Sequence, residues 1–244
     1  TASTASTGST RTVEAAAPIS LDGRSPWTEA IVLRFGRPSL LVREDTFEVP
    51  LSDTWRERLY PSKQLLDTAI RSVGRVEVAG FGGEYVGTAW VVAPGVAVTN
   101  RHVALLFARG TGTNVTMRTD PAGRPYTPWV DFAEEFGQGR SREVRVASVL
   151  YIADDDDLSP DVAFLRLDAP AEYVPPPIPL ATTGPSAGQV VTTIGYPAQD
   201  SRNDAADQAR IFEGIFDVKR LAPGEVVAVE ATSFTHDCTT LAGS

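Results

Sequence analysis

Two side chains in this sequence have the chemistry of a proton-transfer pair, and both lie where apolar segments begin or end. His102, one of only 2 histidines, follows the largely apolar residues 87–99. Asp161 stands directly before the apolar residues 162–165. A hydroxyl nucleophile needs a histidine that takes and returns its proton, and a carboxylate that holds this histidine in one tautomer. The pair therefore points to nucleophilic catalysis by a hydroxyl group.

Each residue of the pair also has a structural interpretation. A lone histidine is more often a hydrogen-bonded structural residue than a catalyst, so that His102 would fit an inactive homologue as well. A lone aspartate such as Asp161 can cap a strand or accept a hydrogen bond from a loop N–H group. The order of the two residues along the chain favours the catalytic interpretation over both alternatives.

Three motifs together resemble bacterial trypsin-like serine peptidases of the chymotrypsin fold. They are Gly-Thr at residues 87–88, Thr-Asn-Arg-His-Val at residues 99–103 and Asp-Val-Ala-Phe-Leu at residues 161–165. The resemblance covers residues 74–244 and is closer to the disulfide-free bacterial enzymes than to the digestive trypsins. It implies that His102 is the general base and then the general acid, and that Asp161 orients it.

The last nine residues, 236–244, resemble the approach to the Gly-x-Ser-Gly nucleophile loop of this family. The resemblance implies that Gly243 supplies an oxyanion-hole N–H group and that Ser244 is the variable residue after it. We expect the nucleophile serine at the position that follows Ser244. A deletion of one residue relative to the family would instead make Ser244 the nucleophile.

The same alignment places Thr239 in the substrate pocket, where trypsins carry a carboxylate that selects Arg or Lys. A basic residue at the cleavage site is therefore not favoured by this feature. Digestive trypsins also bury a new N-terminus against an aspartate just before the nucleophile, but Ser244 occupies that position here. The corresponding salt bridge cannot form.

The pattern of apolar residues predicts three regions. Residues 1–28 are rich in small polar residues and are expected to be a flexible leader. Residues 29–73 form an N-terminal extension, with strands at 30–35 and 39–43 and an amphipathic helix at 62–73 that has Ser62 as its N-cap. Residues 74–244 form the peptidase domain. Its short strands predict an all-β fold, and they lie at residues 75–79, 85–92, 96–99, 114–118, 144–152, 162–167, 189–194, 209–218 and 225–232.

The resemblance refines this all-β prediction to a two-barrel chymotrypsin-like fold whose second barrel is incomplete in this chain. We accordingly expect the C-terminal remainder of the same polypeptide to be a partner. The N-terminal extension also resembles that of bacterial multidomain proteins in which such a peptidase precedes another effector enzyme. This likeness implies an effector domain as a further partner.

The composition limits the other binding partners. A net charge of −9 argues against direct binding of nucleic acid or of an anionic membrane. The single cysteine, Cys238, cannot form an intrachain disulfide, and together with the lack of a visible signal peptide it slightly favours a cytoplasmic location.

No cofactor or metal is predicted. Two histidines and one cysteine are poor support for a zinc site, and the acidic run at residues 154–157 lacks the spaced ligands of a calcium loop. We therefore expect this run to be a solvated turn. The sequence predicts a serine endopeptidase acting on a protein or peptide substrate. The alternative is a catalytically inactive domain of the same fold that binds peptides or acts as a scaffold.

Overall fold

The computed structural model describes residues 36–79, 85–139, 141–156, 159–170, 173–199 and 203–241. The predicted leader, residues 1–28, and the predicted strand at 30–35 lie outside the described residues. Two units account for most of the described strands, a closed barrel and an open sheet.

The described strands and helices are unevenly distributed along the chain, and two of the four α-helices lie in its first third. The strands are β1 Leu40–Arg43, β2 Thr46–Phe47, β3 Val73–Val78, β4 Gly87–Ala93, β5 Val96–Thr99, β6 Ala108–Thr111, β7 Asn114–Met117, β8 Pro128–Asp131, β9 Glu143–Ile152, β10 Ala163–Asp168, β11 Val190–Gly195, β12 Arg220–Val229 and β13 Phe234–His236. The helices are α1 Asp53–Leu59, α2 Lys63–Ser72, α3 Arg101–Phe107 and α4 Ala205–Phe212, with a 3-10 turn at Tyr60–Ser62.

The barrel closes through the strand order β10-β5-β4-β3-β8-β9, and all of its pairings are antiparallel. Successive side chains of a strand point to opposite faces, so that every second residue enters the barrel. In β10, Ala163, Leu165 and Leu167 are buried, whereas Arg166 and Asp168 are exposed. Helix α3 contributes Val103, Ala104 and Phe107 to the same core.

The second unit is an open sheet in the order β11-β12-β1-β2, with β13 also paired to β12. Strand β12 pairs with β11 over residues 220–225, and its other edge meets β1 at Leu221 and β13 at Val226. Strand β1 of the N-terminal extension thus continues the sheet in which the C-terminal residues lie. A separate small core of Leu40, Val42, Phe47, Leu59, Ile70 and Leu221 joins the extension to this sheet.

The predicted all-β fold is confirmed, as is the predicted helix at 62–73, which extends over Lys63–Ser72. Ser62 occupies the N-cap position, although its hydroxyl makes no capping hydrogen bond. None of the helices in the described ranges is both long and apolar enough to cross a membrane.

The predicted strand at residues 209–218 is wrong, because residues 209–212 belong to α4 and residues 213–218 are not in a strand. The Asp204 carboxylate accepts a hydrogen bond from the N–H group of Asp207 at 2.9 Å, which caps the first turn. At the other end, Glu213 adopts a left-handed conformation with φ of 57° and stops the helix. The short strands β2, β6, β8 and β13 were not predicted.

Candidate active site

His102 lies on the first turn of α3, just after the β4–β5 hairpin. The two-residue turn of this hairpin, Pro94-Gly95, has Gly95 at φ of 68°, a conformation that favours glycine. Helix α3 begins at Arg101, so that His102 is its second residue. Its residues Val103 and Phe107 are buried in the barrel, which leaves the His102 side chain on the outer face with 71% of its surface exposed.

The register of the barrel brings Asp161 next to His102. Thr99, the last residue of β5, pairs with Ala163, the first residue of β10. Because the two strands are antiparallel, the residues that follow Thr99 lie beside the residues that precede Ala163. The closed sheet therefore sets the distance between the two side chains although they are 59 residues apart in sequence.

Three donors converge on the Asp161 carboxylate. The ring Nδ1 of His102 lies 2.6 Å from Oδ2, and the backbone N–H of His102 donates to Oδ1 at 3.1 Å. The side-chain amide of Asn100 donates to Oδ2 at 3.1 Å and to the Asp161 carbonyl at 3.4 Å. The histidine is thus held against the carboxylate both by its ring and by its own main chain.

These contacts set the protonation of the pair. Partial burial by itself raises the pKa of Asp161, but the N–H group of His102, its ring and the Asn100 amide outweigh that effect and lower the pKa below its usual value. An ionised carboxylate can only accept hydrogen bonds, so the neutral His102 ring must carry its proton on Nδ1. The other ring nitrogen, Nε2, then keeps its lone pair and can accept a proton.

The acidic run before Asp161 is attached to the same helix. Asp154, Asp155 and Asp156 are exposed, while residues 157 and 158 lie outside the described residues. The Arg101 guanidinium pairs with the Asp155 carboxylate at 2.9 Å and donates to the Asp154 carbonyl. The run therefore contacts the first turn of α3 through Arg101.

The segment that follows β13 lies against the open sheet. Thr239 donates its hydroxyl to the carbonyl of Arg37 at 2.6 Å. The N–H group of Cys238, a buried residue, donates to Nδ1 of the exposed His236 at 3.2 Å. Gly243 and Ser244, the predicted oxyanion-hole residue and alternative nucleophile, lie outside the described residues.

Residues 87–244, most of the chain, match the family described as the trypsin-like peptidase domain. The chain belongs to this family. Among solved structures, the trypsin-like domain is similar to the serine endoprotease from Yersinia pestis, with 18% sequence identity and a TM-score of 0.47. That similarity covers 80% of this chain and 52% of the other, so the chain spans about half the length of that structure. No curated protein matches the chain.

Within this trypsin-like domain, the structure brings together His102 and Asp161 of the predicted site residues. Thr239 lies beside the open sheet, where its hydroxyl donates to the carbonyl of Arg37 in the N-terminal extension. Sequence reasoning missed Asn100, although a polar residue directly before the helix of His102 was a usable signal. It also missed Arg37, for which no local pattern existed.

A cluster of carboxylates lies away from this site, at the junction of the two units. Glu77, Asp131 and Glu134 have oxygen atoms close enough together to hold a metal ion. The Arg75 guanidinium already lies between two of them, 2.6 Å from the Glu77 carboxylate and 3.0 Å from that of Glu134. Arginine therefore supplies the positive charge of this cluster in the described structure.

Proposed function

We propose that the protein is a serine endopeptidase that hydrolyses peptide bonds through an acyl-enzyme. The observation that carries this proposal is the contact of 2.6 Å between His102 Nδ1 and the Asp161 carboxylate in a chain of the trypsin-like family. This contact leaves Nε2 available to accept the proton of a serine hydroxyl.

In the proposed reaction, His102 Nε2 takes the proton of the serine as its oxygen attacks the carbonyl carbon of the substrate. Asp161 stabilises the positively charged ring that results. The proton then passes from Nε2 to the leaving amine, and the acyl-enzyme forms. In the second half of the reaction, His102 activates a water molecule, which releases the acyl group and restores the serine.

The sequence resemblance assigns the remaining roles. The nucleophile is the serine expected after Ser244, with Ser244 as the alternative, and the backbone N–H of Gly243 stabilises the negative charge that develops on the carbonyl oxygen. Thr239 in place of a carboxylate leaves the pocket without the charge that selects basic residues. The proposed substrates are proteins or peptides.

The decisive variant is His102→Ala in the intact polypeptide, measured with a peptide library and with fluorophosphonate labelling of the nucleophile. We expect kcat/KM to fall by at least about 10⁴-fold and labelling to slow with it, because the serine loses its base. The control is Arg145→Ala, which removes an exposed side chain of the barrel that pairs with Asp168, and this variant is expected to retain most of the activity.

Unchanged cleavage by the His102→Ala variant would overturn the proposal. If the unmodified polypeptide neither cleaves peptides nor reacts with the fluorophosphonate but still binds peptides, the chain is instead a peptide-binding domain with the peptidase fold.

A further inference from the structure

Arg37 of the N-terminal extension contacts the segment at residues 237–239 in two places. Its guanidinium pairs with the Asp237 carboxylate at 2.5 Å, and it lies 3.6 Å from the Glu225 carboxylate of β12. Its backbone carbonyl accepts the hydroxyl of Thr239 at 2.6 Å. One residue of the extension thus holds both ends of a segment that is 200 residues away in sequence.

Helix α1 holds Arg37 in place from the other side. Trp55 is only 2% exposed, and its indole N–H donates to the Gly36 carbonyl at 3.0 Å. The Arg37 guanidinium lies over the Trp55 ring at 5.4 Å, and that of Arg58 lies over it at 5.1 Å. Arg58 also pairs with Glu225. The contacts therefore form a continuous path from α1 to β12 and to Asp237.

Asp237 joins this path to the sheet. Its Oδ1 accepts the N–H group of Glu225 at 2.7 Å, and its own N–H group donates to the Glu225 carbonyl at 3.1 Å. The other carboxylate oxygen is the one that binds Arg37. The hydrogen bond from Arg37 lowers the pKa of Asp237 and outweighs partial burial, which raises it. The carboxylate is thus ionised at neutral pH and binds both neighbours.

We propose that residues 36–39 together with α1, here called the N-terminal strap, position the segment 237–239 and, through it, the nucleophile loop that follows. Arg37 is the positioning residue. This inference rests on the proposed function, because the loop matters only if its serine attacks a substrate. It assigns to the N-terminal extension a role in catalysis as well as in folding.

The physical reason is that catalysis depends on position more steeply than stability does. The Arg37 and Asp237 side chains are 29% and 36% exposed, and ion pairs of that exposure contribute little to the free energy of unfolding. A displacement of about 1 Å at reacting atoms, by contrast, can lower a rate by about 100-fold. Loss of the ion pair between Arg37 and Asp237 is therefore expected to reduce turnover while the protein stays folded.

The test compares Arg37→Ala and Asp237→Asn with the unmodified intact polypeptide. We expect kcat to fall by about 10- to 100-fold with KM within about twofold, and fluorophosphonate labelling to slow by the same factor. Asp237→Asn keeps an oxygen for the Glu225 N–H group and removes only the charge. The double variant should be no slower than the slower single variant, because both changes break one contact.

Two further variants separate positioning from general effects. Arg37→Lys keeps the charge but loses the planar guanidinium, so we expect it to recover part of the lost kcat. Arg124→Ala is the control, since Arg124 pairs with Asp120 at the surface and lies outside both the strap and the 237–239 segment. Its kcat and labelling rate should equal those of the unmodified protein.

Three results would overturn the inference. The first is an Arg37→Ala variant with normal kcat. The second is a change in KM or cleavage preference at constant kcat, which would place Arg37 in the substrate pocket. The third is unfolding of both the Arg37→Ala and the Asp237→Asn variants. Failure of the proposed function is a separate result, since it shows as cleavage that persists in His102→Ala. In that case, faster amide hydrogen exchange at residues 237–239 in Arg37→Ala would still support the strap, and unchanged exchange would overturn it.

Discussion

His102 and Asp161 are held by adjacent strands of a closed barrel, whereas the segment 237–239 is held by a residue from the opposite end of the chain. In the barrel, the pairing of Thr99 with Ala163 sets the site geometry through main-chain hydrogen bonds. In the open sheet, Arg37 and Thr239 set it through side-chain contacts. We therefore expect the barrel part of the proposed site to tolerate single substitutions outside the site, and the 237–239 segment to be sensitive to them.

The largest expected effect concerns the barrel half of this comparison. Asp161→Asn keeps the shape of the side chain but offers an amide N–H group, which favours the wrong tautomer of His102. We expect kcat of the intact polypeptide to fall by about 10⁴-fold, measured by steady-state cleavage of a peptide substrate. The protein should remain folded, because the barrel register does not depend on this carboxylate.

The matched control for this change is Asp155→Asn, which alters an exposed acid of the same loop that pairs with Arg101. Its kcat should stay within about twofold of the unmodified value. A loss of less than tenfold in Asp161→Asn would contradict the orienting role of Asp161.

A smaller effect is expected from a change in the open sheet. A Cβ atom at residue 224 would lie 2.6 Å from both Asp237 Oδ1 and Cys238 N, which is too close for any real contact. Gly224→Ala should therefore push the 237–239 segment away from β12 and lower the free energy of unfolding by about 1–3 kcal/mol, measured by urea denaturation.

Gly184→Ala is the control for this glycine, because nothing lies within 4 Å of its added Cβ atom. Its free energy of unfolding should change by less than about 0.5 kcal/mol. Equal stabilities of the two variants would show that the close approach at residue 224 relaxes without cost.

The smallest effect is expected at the junction of the two units, where Lys219 is fully buried. Its ammonium group donates to the carbonyls of Phe132 at 2.8 Å and Ile70 at 3.1 Å. Burial lowers its pKa from 10.5 to about 8, and Glu135, 3.9 Å away, only partly offsets this. Between about pH 8 and 10, the unfolded chain therefore binds more protons than the folded one, and stability rises with pH.

Lys219→Met removes this titration. The difference in the free energy of unfolding between the unmodified protein and the variant should be constant below about pH 8 and should grow in favour of the unmodified protein up to pH 10. Other groups, such as Tyr85 and Tyr196, whose pKa values are raised by burial, cancel in this difference. A difference that is flat or falls from pH 8 to 10, measured by urea denaturation, would contradict the lowered pKa of Lys219.

Much of the barrel could be predicted because its strands are local patterns of apolar residues. The predicted and observed strands at 96–99 coincide, and the one predicted at 144–152 is Glu143–Ile152. Helix α4 was mistaken for a strand because residues 209–218 mix apolar and polar side chains at spacings compatible with both. The N-cap aspartate at residue 204 was the signal that distinguished them.

The short strands were missed for a different physical reason. Pro128–Asp131 and Phe234–His236 are strands because of the partners with which they pair, β3 and β9 in one case and β12 in the other. Such segments are short and show little apolar periodicity, so they are hard to recognise in a sequence. Their conformation is set by hydrogen bonds to distant strands.

The sequence by itself determined which types of residue form the candidate site and to which family the chain is similar. It also determined that His102 and Asp161 lie next to barrel strands. Only the tertiary structure decided that Asn100 supports Asp161 and that Arg37 binds Asp237. The reason is that contacts between residues 200 positions apart depend on how β1 and β13 share the edge of β12. No local pattern of charge or hydropathy encodes that arrangement.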